Sequence, residues 1–140
     1  MIRVYNKIIP MKGFKALTIW PFIFIRSEYA DRFNDIDTNH EDIHGNQQME
    51  VLAISVMVVT ILTLCLGISL WMYLLCPFIY FLWYTIEWLI RWGVYKDRDK
   101  AYKRICFEQE AYQHEADLKY LMNRKHFAWL AYLCKDVCSI

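Results

Sequence analysis

The chain has 140 residues, room for one domain. It is 57% hydrophobic and 17% aromatic with a formal net charge of +1. Near-neutral charge offers no electrostatic footprint for nucleic acid, and sparse Gly and Pro argue against a disordered or low-complexity chain. The five cysteines, an odd number without framework spacing, suit reduced thiols better than disulfides.

In chain order, the opening MIRVYNKIIP lacks the apolar core and small-residue cleavage site of a secretory signal. Residues 14–26 alternate imperfectly and carry β-formers around Pro21, which predicts a short strand pair within an N-terminal β/loop segment, 1–36. A helix is expected over 37–50, with Asp37 or Thr38 as its N-cap. It contains His40-Glu41-Asp42-Ile43-His44, an HExxH pattern. On a helix the two imidazoles lie one turn apart on one face, where they can grip one zinc ion. Glu41 then lies beside the metal, placed to take a proton from bound water. The structural alternative is a surface helix in which Thr38 and Glu41 form only a capping box.

From Val51 to Ile86 there is no charged residue, and apolar character runs on past Glu87 to Ile90. A single crossing of a bilayer takes about 20 residues, so 51–90 is long enough for a two-span hairpin. Its first half is aliphatic and its second is dense in Trp, Tyr and Phe; Gly67, Ser69 and Cys76-Pro77 mark where the chain could reverse. Arg26 and Arg32 precede the hairpin, Arg91, Lys96, Arg98, Lys100, Lys103 and Arg104 follow it, and no Lys or Arg separates the spans. By the positive-inside rule both termini are expected in the cytoplasm. Glu87 stands four residues before Arg91, the spacing of a helical ion pair, although an intramembrane carboxylate is also a functional candidate.

A cytoplasmic helical segment is expected over 97–135, with a Glu-rich helix in ICFEQEAYQHEADLKYL. Glu108, Tyr112 and Glu115 share one face; Glu110, His114 and Asp117 share the other. Helical residues two apart diverge by about 200°, so only one of Glu108 and Glu110 can face a given ion. Lys119, Arg124 and Lys125 could meet lipid phosphates, and His126 is expected at the surface or the membrane interface. The run 127–134 is too short to span a bilayer, and Cys134 and Cys138 could share a helical face.

The HExxH pattern, with apolar spans between it and a Glu-bearing helix, resembles the gluzincin metallopeptidases. The nearest likeness is to their membrane-integral branch of HtpX-like heat-shock proteases and CAAX prenyl proteases. That resemblance implies His40 and His44 as zinc ligands and Glu41 as general base. It also implies Glu108 as third ligand, from Glu108-Gln109-Glu110-Ala111-Tyr112 read against an E-x-x-A-D pattern. Tyr112 stands where the family has Asp, so the carboxylate expected to orient a ligating histidine is missing. Tyr112 and His114 are then candidates to donate to an oxyanion. An edge strand from residues 14–26, able to hold an extended peptide beside the zinc, is also implied. KGFKALTIWPFIFIR followed by the HExxH segment resembles, in addition, a group of short bacterial membrane proteins.

The expected molecule is therefore a mainly α membrane protein with an HExxH helix, a transmembrane hairpin, a Glu-bearing cytoplasmic helix and a short β segment. The expected function is that of a minimal zinc metalloendopeptidase in the bacterial inner membrane, acting on peptides or membrane proteins. The alternative is a non-catalytic anchor or assembly subunit with a structural or vestigial zinc site. A small transporter or channel fits least well, because the spans carry at most one interior charge.

Overall fold

The computed structural model describes residues 1–133. The chain is mainly helical, with a small sheet at its start. Strand β2 (Ala16–Ile19) turns at Trp20-Pro21 into β3 (Phe22–Arg26), the antiparallel pair that the alternation predicts. A further strand, β1 (Ile2–Asn6), joins the other side of β3 in parallel, giving the order β1-β3-β2. Isolated two-stranded hairpins are marginal in water, and the third strand gives this one a partner on each side of β3. β3 buries Ile23 and Ile25 completely, as expected of a central strand.

Helix α1 runs without a break from Asp35 to Leu66, 32 residues, or about 48 Å at 1.5 Å per residue. Its N-cap is Asn34, not Asp37 or Thr38. The Asn34 side chain accepts from the N–H groups of Ile36 and Asp37, and the Asp37 carboxylate accepts from the Asn34 N–H at 3.1 Å, which makes the capping box. Glu41 takes no part in that box. The expected HExxH helix and the first half of the hairpin are thus one element, because nothing near Glu50 or Val51 breaks the helical ladder.

Gly67 ends α1 in the left-handed region at φ 65°, its N–H bonded to the Thr63 carbonyl at 3.0 Å. A residue without Cβ adopts that conformation at least cost. The chain then reverses. Leu70–Phe78 is a 3-10 helix containing Pro77, and α2 follows over Ile79–Tyr95. The Tyr73 hydroxyl donates to Thr60 Oγ1 at 3.0 Å and ties the returning arm to α1. Asp35–Leu66 and Leu70–Tyr95 are both long and apolar enough to cross a membrane, and only 17% of the most apolar stretch of each is buried. A helix at the centre of a globular domain would bury most of that stretch.

The remaining elements are α3 (Arg98–Lys103), α4 (Cys106–His114), α5 (Tyr120–Asn123) and a 3-10 turn at Ala128–Tyr132. Ile105, Cys106 and Phe107 lead into α4 and pack with Val51, Tyr80, Trp129 and Tyr132 as the core. The core therefore joins the middle of α1, the start of α2 and the C-terminal elements. Glu87 and Arg91 form the expected ion pair at 2.6 Å, facing inward, where Glu87 also accepts from the Cys106 N–H at 2.9 Å.

Arg124 is not a lipid-phosphate contact. Its buried guanidinium bridges Glu50 of α1 and Glu110 of α4, each at 2.6 Å. Glu50 also accepts from the Phe127 N–H and the Trp129 indole. His126 lies at the surface, as expected. Of the cysteines expected to share a C-terminal face, Cys134 and Cys138 lie outside the described residues.

Candidate metal centre

α1 and α4 meet where Asn39 caps the end of α4. Its side-chain amide donates to the carbonyls of His114, Glu115 and Asp117 at 2.9 to 3.2 Å. The adjacent His40 is thereby set against the face of α4 that carries Glu108, Tyr112 and Glu115. Glu110 lies on the opposite face, fully buried against Arg124 and Gln47 and turned away from the imidazole pair.

Three metal-binding groups converge. His40 Nε2 and His44 Nε2 are 3.1 Å apart, His44 Nε2 lies 3.3 Å from Glu108 Oε1, and His40 Nε2 lies 3.5 Å from Glu108 Oε2. All three residues are buried. A tetrahedral ion with bonds of about 2.0 to 2.1 Å separates its ligand atoms by about 3.4 Å. The spacing fits one small ion.

Proton accounting leads to the same conclusion. The Gln47 amide nitrogen donates to the Phe107 carbonyl at 3.1 Å and to Glu110 Oε2 at 3.0 Å. Both partners are acceptors, so Gln47 Oε1 must be the atom facing His44 Nδ1 at 2.8 Å. His44 therefore carries its proton on Nδ1. His40 Nδ1 faces a carboxylate oxygen of Glu115 at 2.8 Å, which assigns its proton the same way. Two Nε2 lone pairs then point at each other and at a carboxylate. Glu108 Oε2 is buried with no hydrogen-bond partner. Facing acceptors repel, and a cation between them, a proton on His44 Nε2 or a metal ion in its place, resolves the conflict.

The electrostatics agree. Burial favours the neutral acid at Glu108, yet the imidazoles, His44 foremost, hold its carboxyl far below the usual range. Burial pulls His44 down, but the charge of Glu108 prevails and raises it to about 9. Positive charge is what this cluster holds best.

Glu115 supplies the carboxylate that Tyr112 does not. It lies seven residues after Glu108 and reaches the same face of α4, so its side chain orients His40. Tyr112 packs its ring against His40 with centroids 4.8 Å apart and remains 43% exposed. Burial, then the charge of Glu108, pushes its hydroxyl up to about 12, leaving it a proton donor at neutral pH. His114 is not near the cluster. It stacks on Tyr120 at 3.9 Å and its Nε2 lies 3.1 Å from the Tyr132 hydroxyl.

Glu41 is held from the sheet. The Thr18 hydroxyl of β2 donates to Glu41 Oε2 at 2.7 Å. Its charge adds to that of Glu108 in raising both His44 and Tyr112. Two tyrosines of α2 complete the surroundings. The Tyr84 hydroxyl donates to Glu108 Oε1 at 2.7 Å, and the Tyr80 hydroxyl lies 3.3 Å from both His44 Nδ1 and Gln47 Oε1. Gln47, Thr18, Tyr80, Tyr84 and Glu115 carry no sequence signal of their roles except one. Glu115 shares the 3.6-residue face of Glu108. No family model, curated protein or solved structure matches this chain.

Proposed function

We propose that the chain is a minimal zinc metalloendopeptidase of the bacterial inner membrane, with both termini cytoplasmic and peptides or membrane proteins as substrates. The observation that carries this reading is the ligand set. Two imidazoles and one carboxylate leave a fourth tetrahedral position for water, and a second carboxylate, Glu41, follows the first ligand directly. A structural zinc site uses four protein ligands, whereas a His, His, Glu set with an open position belongs to catalysis.

When bound, zinc would acidify a water and polarise the scissile carbonyl. The chain's own residues do the rest. Glu41, steadied by Thr18, receives the proton of the attacking water and delivers it to the departing amine. His40, His44 and Glu108 are held in binding geometry by Glu115, Gln47 and Tyr84. Tyr112, protonated and partly open to solvent, is the donor available to negative charge developing on the carbonyl oxygen. β2 is a sheet edge beside Glu41, suited to an extended peptide. Membrane insertion is supported by the two long apolar helices and their exposed side chains, and the orientation by the Lys and Arg residues that flank them.

The test is metal analysis of the purified protein alongside peptide cleavage. One zinc per chain is expected, lost in His40→Ala and Glu108→Ala. Glu41→Gln should keep the metal and lose cleavage. Metal without cleavage in the wild type would leave the non-catalytic anchor as the function; no metal would remove both zinc readings.

A further inference from the structure

We infer that the β2–β3 hairpin tip seats in the lipid interface and fixes the height of the metal centre, so that the bonds cut lie in the first few residues beyond a substrate's own membrane span. The substrate half of this rests on the peptidase reading; the hairpin half stands on geometry alone.

The first observation is that the two metal-binding histidines and the apolar run share one unbroken helix. From His44 to Val51 is seven residues of α1, a rise of about 10 Å. No hinge lets the centre move away from the apolar run. The second observation is that Tyr80 and Tyr84 lie on α2, whose outward side chains Leu82, Ile86, Leu89 and Ile90 are apolar and exposed. The cluster is thus braced from both apolar arms.

The third observation is the direction of β2. Lys15 pairs with Asp37 at 3.0 Å, Thr18 with Glu41 at 2.7 Å, and the Trp20 N–H with Gln48 Oε1 at 2.9 Å. Both numberings climb together, so β2 runs alongside α1 in the same sense, toward the apolar run. Asp37 to Gln48 rises about 16 Å along a helix, and Lys15 to Trp20 about 16 Å along a strand. The axes are therefore close to parallel. The strand ends level with Gln48, about 4.5 Å before Val51. There the hairpin exposes Ile19 at 41%, Trp20 at 49% and Phe22 at 38%. Apolar and indole side chains exposed at that level match a lipid interface.

The outer edge of β2 shows how a chain would approach. The Arg26 N–H donates to the Lys15 carbonyl, so Lys15 faces β3 and the backbone groups of residues 16, 18 and 20 face outward. The Gln48 amide takes two of them, the Thr18 carbonyl and the Trp20 N–H. Pairing with an incoming strand therefore stops at Thr18, short of the hairpin tip. A polypeptide leaving the bilayer beside α1 reaches the level of His44 after about three extended residues, since each covers about 3.3 Å.

The experiment reconstitutes the full chain with zinc in phosphatidylcholine–phosphatidylglycerol vesicles. Single-span substrates carry one cleavable polar sequence, either directly after the span or moved outward by about 20 Gly-Ser residues; the same sequence is also offered as a free peptide. Mapped cuts are expected close to the span, with the displaced and free forms cut at least tenfold more slowly. A photoreactive phospholipid in the same vesicles should label residues 19–22 and the adjoining Ile2 along with 54–66, and should spare Tyr5 and Asn6 at the far end of β1. Ile19→Ser combined with Phe22→Ser should keep the zinc and lose the preference for near cuts. Equal cutting at every distance overturns the height rule and leaves the peptidase intact. No cutting by zinc-loaded protein removes the peptidase reading, and unlabelled residues 19–22 overturn the hairpin's seat in lipid whatever the activity.

Discussion

Each imidazole at the centre has one nitrogen committed to an acceptor, and that commitment turns the other nitrogen of each toward a point where one metal ion could be held. Glu115 does this for His40 and Gln47 for His44. Replacing either partner frees the ring to rotate or change tautomer. Glu115→Ala and Gln47→Leu should each weaken zinc binding about 10- to 100-fold, measured by competition with a chelating dye. Glu115→Asp should lie between them and the wild type. The same geometry sets a pH dependence. Without metal, His44 keeps its proton up to about pH 9, so zinc must displace that proton. Apparent affinity should rise about tenfold per unit between about pH 6 and 8 and fall as the solution is acidified. A flat profile over that range would mean that His44 does not ligate.

Among the elements, α5 and the turn after it contribute a clamp, with no chemistry of their own. Arg124 joins Glu50 of α1 to Glu110 of α4, and Glu110 in turn accepts from Gln47, which orients His44. Arg124→Met leaves two buried carboxylates without their cation, a loss of about 3 to 5 kcal/mol in stability. Thermal unfolding in detergent should show that loss, and zinc affinity should fall with it because Gln47 is no longer held. The start of α1 is more tolerant. Asn34→Ala removes the cap and should cost about 1 kcal/mol, with zinc content unchanged. That contrast separates general stability from the wiring of the site.

Across the whole molecule, the ligands come from opposite sides of the apolar hairpin in sequence, and α2 braces them where they meet. Tyr84→Phe removes the hydroxyl on Glu108 Oε1 and keeps the ring in the core. It should lower zinc affinity severalfold with little change in unfolding temperature; unchanged affinity would mean that α2 supports the fold alone. Much of this organisation was legible in the residues. The 3.6-residue period set two histidines on one face and separated Glu108 from Glu110. The absence of charge from Val51 to Ile86 marked the hairpin, Gly67 its reversal, and the spacing of Glu87 and Arg91 their pair. Those are properties of neighbours along one chain, and local periodicity and composition suffice to fix them. The joining of the HExxH helix to the first apolar arm, the cap at Asn34 and the third strand β1 depended on competition between overlapping signals. So did the partners of the site. Whether Glu108 or Glu110 faces the histidines, which carboxylate orients His40, and that Arg124 turns inward were decided only when α4 docked on α1. Contacts between residues 60 to 80 positions apart follow from packing, and packing leaves no period in the sequence for a reader to find.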